Sequence, residues 1–153
     1  MTDAATPLFR QARAADIAAM SAIRLSVTEN ALSNPARITE RMYRDYLAAL
    51  GRGWVVEMDG AVVGFCYADK TDCSIWALFI APGHEGRGYA KALLRLAVDW
   101  LFALGADQVR LSTGAGTRAE RFYATQGWTR ELADDQDVFF RLARPATPMR
   151  RAA

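Results

Sequence analysis

The residues best suited to chemistry lie in the run PGHEGRGYAK, from Pro82 to Lys91. Gly86 and Gly88 flank Arg87, just after an apolar run and just before an amphipathic helix pattern. Glycine costs conformational entropy, so this pair points to a required backbone shape or to a ligand that must come close. The first N–H groups of a helix lack carbonyl partners and sit at the positive end of its dipole, which suits an anion. A dinucleotide fingerprint needs glycine where the chain has Lys91, and a nucleoside-triphosphate loop needs a G-x-x-x-x-G-K-[ST] run that is absent. A pyrophosphate held by successive backbone amides is the third ligand reading. A tight strand-to-helix turn with no ligand stands beside all three.

Metal chemistry has little support. Cys66 and Cys73 lack further ligands nearby, and His84, the one histidine, lies apart from them in a turn where it reads as structural or exposed. A hairpin turn centred on Asp69-Lys70 would set the two cysteines opposite each other. In a reducing cytoplasm they are expected as free thiols.

A chain of 153 residues, 52% hydrophobic and 24% charged, holds about one domain and one sizeable core. The net charge of +2 is small and drawn in part from a tail with Arg144, Arg150 and Arg151, so a nucleic-acid partner is not expected. No apolar run approaches the roughly 20 residues that span a bilayer. MTDAATPLFR lacks the basic and apolar segments of a secretory leader, and the expected location is the cytoplasm.

The elements that must position the glycine turn follow from periodicity. Phe9 to Ala12 suits a first strand, and Asp16 is the expected N-cap of a helix burying Ile17, Met20, Ile23 and Val27. Asn, Ser and Pro in ENALSNPAR interrupt the pattern, and a second helix carries Tyr43, Tyr46, Leu47 and Leu50 at helical spacing. WVVEMDGAVVGFCYADK reads as a hairpin turning at Asp59-Gly60. Ser74 to Ile80 is apolar on both faces, as a doubly covered strand should be. The helix after the glycines has a stripe of Ala90, Leu93, Leu94, Ala97, Leu101 and Leu104. DQVRLST is a further strand, Thr117 to Glu120 a capping box, and VFFRLAR the last strand of a closing hairpin. The order βααβββαβαββ predicts one α/β domain over residues 1–144, with 145–153 a flexible tail.

On these residues the sequence resembles the GCN5-related N-acetyltransferase (GNAT) family. ALFIAPGHEGRGYAKALL matches its strand, Q/R-x-x-G-x-G/A turn and helix, and RAERFYATQGW matches its second block, A-x-x-F-Y-x-x-x-G-F/W. The resemblance implies a mixed central sheet, flanked by helices, in which two parallel strands splay apart to admit acetyl-CoA. Leu78, Phe79 and Ile80 would pair with the pantetheine arm. The loop Glu85, Gly86, Arg87, Gly88, Tyr89, Ala90 and Lys91 would hold the pyrophosphate, mainly through its amides, with Arg87 and Lys91 adding charge. Two positions depart from the pattern: Glu85 stands where Gln or Arg is usual, and Gly116 where Asn is frequent. Thr117 already serves as a cap.

Acetyl transfer to an amine needs a neutral nucleophile, stabilisation of a tetrahedral intermediate and a proton for the departing thiolate. The resemblance implies that Tyr123 supplies that proton, against a plain packing role beside Phe122. No base stands out, and Asp72, Glu57 and Glu29 are the carboxylates considered. The family's variable acceptor segments would bring Glu29 and Asn30, then Tyr43 and Tyr46, then Asp134, Asp135 and Asp137, around a small amine, with Asp72 also near; such a lining would favour a cationic acceptor. Trp76, Trp100 and Trp128 are expected in or near the core. The expected activity is N-acetylation of a primary amine by direct attack in a ternary complex, with acetyl-CoA as cosubstrate and no metal. No membrane partner is expected, and a homodimer is compatible with the sequence. The rival functions are a non-catalytic acyl-CoA sensor and a toxin-like acetyltransferase acting on aminoacyl-tRNA.

Overall fold

The computed structural model describes residues 6–26 and 50–145. The expected second helix, with Tyr43, Tyr46 and Leu47, lies outside the described residues, as do Val27, Glu29, Asn30 and the tail from residue 146 onward. The strands are β1 (Leu8–Gln11), β2 (Gly51–Met58), β3 (Ala61–Asp69), β4 (Ser74–Ile80), β5 (Gln108–Gly114), β6 (Thr129–Ala133) and β7 (Asp137–Ala143). The helices are α1 (Ile17–Ser26), α2 (Tyr89–Ala103) and α3 (Arg118–Thr125). The sheet order is β1-β2-β3-β4-β5-β7-β6, and every neighbouring pair is antiparallel except β4 and β5.

That one parallel pair makes the gap. β4 and β5 share a single register pair, Ser74 with Arg110, supported by the Arg110 N–H donating to the Cys73 carbonyl at 3.0 Å. Beyond it the strands part. The cause is visible on the other edge of β4, where Tyr67 pairs with Ala77 but Ala68 pairs with Ile75, leaving Trp76 as an extra residue. A bulge of this kind bends its strand and increases the local twist. β7 then fills the far side of β5 with a full antiparallel ladder.

Two apolar clusters sandwich the sheet. On one face α2 and α3 pack Leu93, Ala97, Leu101 and Tyr123, with Trp128 from the turn after α3, against Val109, Val138 and Phe140. On the other, α1 packs Ile17, Met20 and Ile23 against Val55, Phe65, Tyr67 and Ala77. β4 touches both clusters, which explains its lack of alternation. Trp128 is buried as expected, while Trp100 is half-buried with its ring 5.7 Å from that of Trp54.

Several local expectations shift. Asp59 and Gly60 both have positive φ (52° and 81°), the mirror-image turn that matches strand twist in a two-residue hairpin. The next hairpin does not turn at Asp69-Lys70. Asp69 pairs with Ser74, its Oδ1 accepts from the Thr71 and Asp72 N–H groups, and Cys66 pairs with Leu78. The longer turn therefore separates the cysteines, and both are free. Asp16 is not the helix cap itself. A 3-10 turn, Ala14–Asp16, precedes α1, and the Asp16 carboxylate reaches back to the Arg13 N–H at 2.7 Å. Leu104 leaves the α2 stripe because it is the C-cap and 57% exposed, whereas Tyr89 and Val98 join it. Arg144 belongs to the body: its Nη2 donates to the Phe102 and Ala106 carbonyls at 2.7 Å each, at the cation-favouring end of α2.

Candidate active site

The parting of β4 and β5 opens a cavity of about 330 Å³. Leu78 and Phe79 line it from β4, Ser112 and Thr113 from β5, and Tyr123 from α3. One strand end leads directly from this cavity to the glycine loop. Ile80 closes β4, the His84 N–H donates to the Ala81 carbonyl at 3.0 Å, and α2 begins at Tyr89. Its N-cap, Gly88, has φ 83° and ψ 6°, and Gly86 has φ 77°. Side chains avoid that region, so the glycines are needed for the backbone path. A Cβ built at either position meets nothing within 4 Å, so the space above the loop is open. The first amide beyond His84 to reach a backbone carbonyl is that of Ala92, on Gly88 at 3.1 Å. From Gly86 to Lys91 the N–H groups make no hydrogen bond among the described residues, as the start of a helix requires.

Glu85 has a role of its own. One carboxylate oxygen accepts from the Gly83 N–H at 3.3 Å, and the other pairs with Arg118 Nη1 at 3.0 Å. Arg118 is the first residue of α3, so the pair joins the glycine loop to the opposite wall of the crevice. α3 is fixed in turn by Thr117. Its hydroxyl accepts from the Glu120 N–H at 3.3 Å and donates to the Gly114 carbonyl at 2.7 Å, tying the helix start to the end of β5. The Glu120 carboxylate caps the Gly116 N–H at 2.8 Å. Gly116 offers no side chain to the crevice, and Thr117 is occupied as a cap.

Tyr123 is buried among Phe122, Trp128 and Phe140, with ring centroids 5.2, 5.8 and 5.9 Å away. It nevertheless lines the cavity. Burial, with the Cys66 sulfur nearby, holds its phenol well above the ordinary value, so it stays protonated. Burial likewise pushes the Cys66 thiol up, which makes it an inert core group.

The carboxylates considered as acceptor ligands separate. Asp72 lies in the exposed β3–β4 turn, beyond the end at which β4 and β5 still pair, and it does not line the cavity. Glu57 is an ion-pair partner of Arg10 at 2.6 Å on β2. Asp134 shapes the β6–β7 turn by accepting from the Gln136 and Asp137 N–H groups, which lowers its pKa, and Asp135 is exposed. Only Asp137 of that run lines the cavity. Glu29, Asn30 and Tyr43 lie outside the described residues.

Most of the lining residues are not marked by the sequence, and two of them, Trp76 and Arg24, carry large side chains into the site. Trp76 is the bulge residue, half-buried in the wall. Arg24 on α1 stands over Phe79 at 4.8 Å and Trp76 at 5.9 Å from the ring centroids. Its signal was present: Arg24 lies seven residues after Ile17 and four after Met20, on the buried stripe of its helix.

The fold and the crevice define a class, and the comparisons agree. The family model described as "Acetyltransferase (GNAT) family" matches residues 19–128. The chain belongs to that family. It is 35% identical over 82 residues to mycothiol acetyltransferase of Beutenbergia cavernae, covering 50% of this chain and 28% of the relative. It is 32% identical over 102 residues to an uncharacterised N-acetyltransferase of Mycobacterium bovis, covering 61% of this chain and 63% of the relative. The chain thus spans less than two thirds of the length of either curated relative. In fold it is similar to the PaiA N-acetyltransferase of Thermoplasma acidophilum, solved in complex with coenzyme A, with TM-score 0.74, 15% identity, and coverage of 91% and 99% of the two chains.

Proposed function

We propose that the protein is an acetyl-CoA-dependent N-acetyltransferase acting on a primary amine of a small acceptor, by direct attack with both substrates bound. The observation that carries this reading is a protonated, buried Tyr123 in the wall of a gap between two parting parallel strands, one of which runs into an anion-suited helix start. The residues fit the cofactor. After Ser74 the β5-facing edge of β4 has no β5 partner, so Leu78, Phe79 and Ile80 have backbone groups to offer a pantetheine amide. The amides from Gly86 to Lys91 make no hydrogen bond among the described residues and the space beside Gly86 and Gly88 is open, which suits a pyrophosphate, with Arg87 and Lys91 adding positive charge. Glu85 contributes through Arg118 rather than as a phosphate ligand.

When bound, acetyl-CoA supplies an activated thioester. Tyr123 holds a proton at Oη for the sulfur that leaves. Acceptor chemistry is read from the described walls alone, which carry one cation, Arg24, and one carboxylate, Asp137. They do not form the uniformly acidic lining that would select cationic acceptors.

Release of free thiol from acetyl-CoA across a panel of amines, amino acids, polyamines and peptides tests the proposal, beside calorimetric titration with CoA. Saturable CoA binding with amine-dependent thiol release is expected. CoA binding without release for any amine would make the protein an acyl-CoA sensor instead.

A further inference from the structure

We propose that Asp137 is the acceptor-side catalytic residue: its carboxylate receives the substrate ammonium and takes its proton, from the face of the sheet opposite Tyr123. This rests on the acetyltransferase reading and adds the base which that reading lacks.

The placement follows from strand alternation. Val138 and Phe140 point into the cluster under α2 and α3, so Asp137 projects to the α1 side. Its partner across β5 is Gly114, whose missing side chain leaves room for a carboxylate on β7 to reach over β5 toward the gap. Trp76 and Phe79 line the same cavity and pack with the α1 cluster. Tyr123 enters from α3, with its ring 5.9 Å from that of Phe140, on the other face. Acyl transfer from a thioester needs a nucleophile on one side of the carbonyl carbon and a proton for the sulfur on the other. The α3 face supplies the phenol, and the α1 face supplies the carboxylate together with the Arg24 guanidinium.

Local structure does not account for the Asp137 side chain. The turn uses its backbone, with Asp134 Oδ1 accepting from the Asp137 N–H at 2.7 Å and the Asp137 carbonyl accepting from the Asp134 N–H at 2.9 Å. Among the described residues its carboxylate makes no ion pair or hydrogen bond. Among the described residues it is also the one carboxylate lining the cavity, where Tyr123 and Arg24 are the other ionisable side chains.

The proton balance closes. Asp137 takes one proton from R–NH3+, and the freed nitrogen lone pair forms the C–N bond as the C–S bond breaks and its electron pair goes to sulfur. Tyr123 Oη–H protonates the sulfur, and the second nitrogen proton returns through water to the phenolate. Asp137 finally releases its proton to solvent, giving the acetamide, the free thiol and one H+.

The test compares Asp137→Asn with the unaltered protein. Calorimetric affinity for CoA should be unchanged. With 2-phenylethylamine as probe, kcat/KM should fall by about 10²-fold or more, the usual scale for a positioned base. For the unaltered protein kcat/KM should be nearly flat from pH 6 to 9. For Asp137→Asn it should rise about tenfold per pH unit, because only solvent then frees an amine of pKa near ~10. Parallel pH profiles, or an unchanged kcat/KM, would overturn the assignment while leaving acetyl transfer intact. If no amine in the panel releases thiol, the acetyltransferase reading fails, and titration of 2-phenylethylamine into CoA-saturated protein decides this proposal separately. Binding weakened tenfold or more only in Asp137→Asn supports the ammonium site; equal binding, or none in either protein, overturns it.

Discussion

Burial keeps the Tyr123 phenol protonated, which suits it to the proposed donation of a proton to the leaving sulfur. A phenol ordinarily ionises near pH ~10, and among Phe122, Trp128 and Phe140 the charged form is disfavoured further. Tyr123→Phe keeps the packing and removes the hydroxyl. Amine-dependent thiol release should fall by about 10²-fold with little change in calorimetric CoA affinity. Unchanged turnover, where chemistry is shown to limit the rate, would remove Tyr123 from the reaction. Because the folded value is raised, no alkaline loss of activity below pH ~10 should be traceable to this phenol. Gly88 makes a complementary case in the backbone. Its φ of 83° costs an ordinary residue about 1–2 kcal/mol, although a Cβ would meet open space. Gly88→Val should leave a cooperatively folding domain and weaken CoA binding by more than tenfold in a titration. Near-normal affinity would mean that the glycine serves only the turn.

At the scale of elements, α1 is anchored by a charged knot. The Asp16 carboxylate accepts from Arg10 at 2.8 and 2.9 Å and from the Arg13 N–H, while Arg10 also reaches Glu57 on β2. The Asp16 side chain is only 7% exposed, so its loss leaves Arg10 poorly compensated. Hydrogen bonding to the Arg10 guanidinium holds the Asp16 pKa below the ordinary carboxylate value. Its stabilisation is therefore complete above about pH 4, where the unfolded carboxylate is also ionised, and is lost as pH falls through the lower folded value. Asp16→Asn should cost about 1–3 kcal/mol by urea unfolding at pH 7. That difference should shrink progressively as pH falls below about 4; a deficit independent of pH would show that charge is not the cause. Because α1 carries Arg24 across the cavity, this knot also sets one wall of the site.

At the scale of the whole molecule, the crevice has two walls joined near the loop by Glu85 and Arg118. Both side chains are well exposed, 41% and 62%, so solvent screens the pair and little stability depends on it. Its effect should lie in the cofactor's charge environment. Glu85→Gln removes a negative charge beside an anion-suited loop and weakens the pairing with Arg118. CoA affinity should rise several-fold at low ionic strength, the gain should shrink as salt is added, and the melting temperature should hardly move. Weaker CoA binding in this variant would mean that the carboxylate holds the loop in its binding shape.

Much of this architecture is local and therefore legible in sequence. Asp59-Gly60 demands its turn, Thr117 its cap, and Gly86 and Gly88 their backbone path, because each depends on dihedral preferences or hydrogen bonds within a few residues. The apolar stripes of α1 and α2 are readable for the same reason, as periods along a single element. What the tertiary structure decided is everything that depends on register between distant strands. Only the pairing of β3 with β4 makes Trp76 a bulge residue and parts β4 from β5. Only the pairing of β5 with β7 sets Asp137 against Gly114 and separates it from Asp134 and Asp135, its equals in the sequence. A one-residue change in either register would send these side chains to the other face of the sheet, and neighbouring residues along the chain carry no record of that choice.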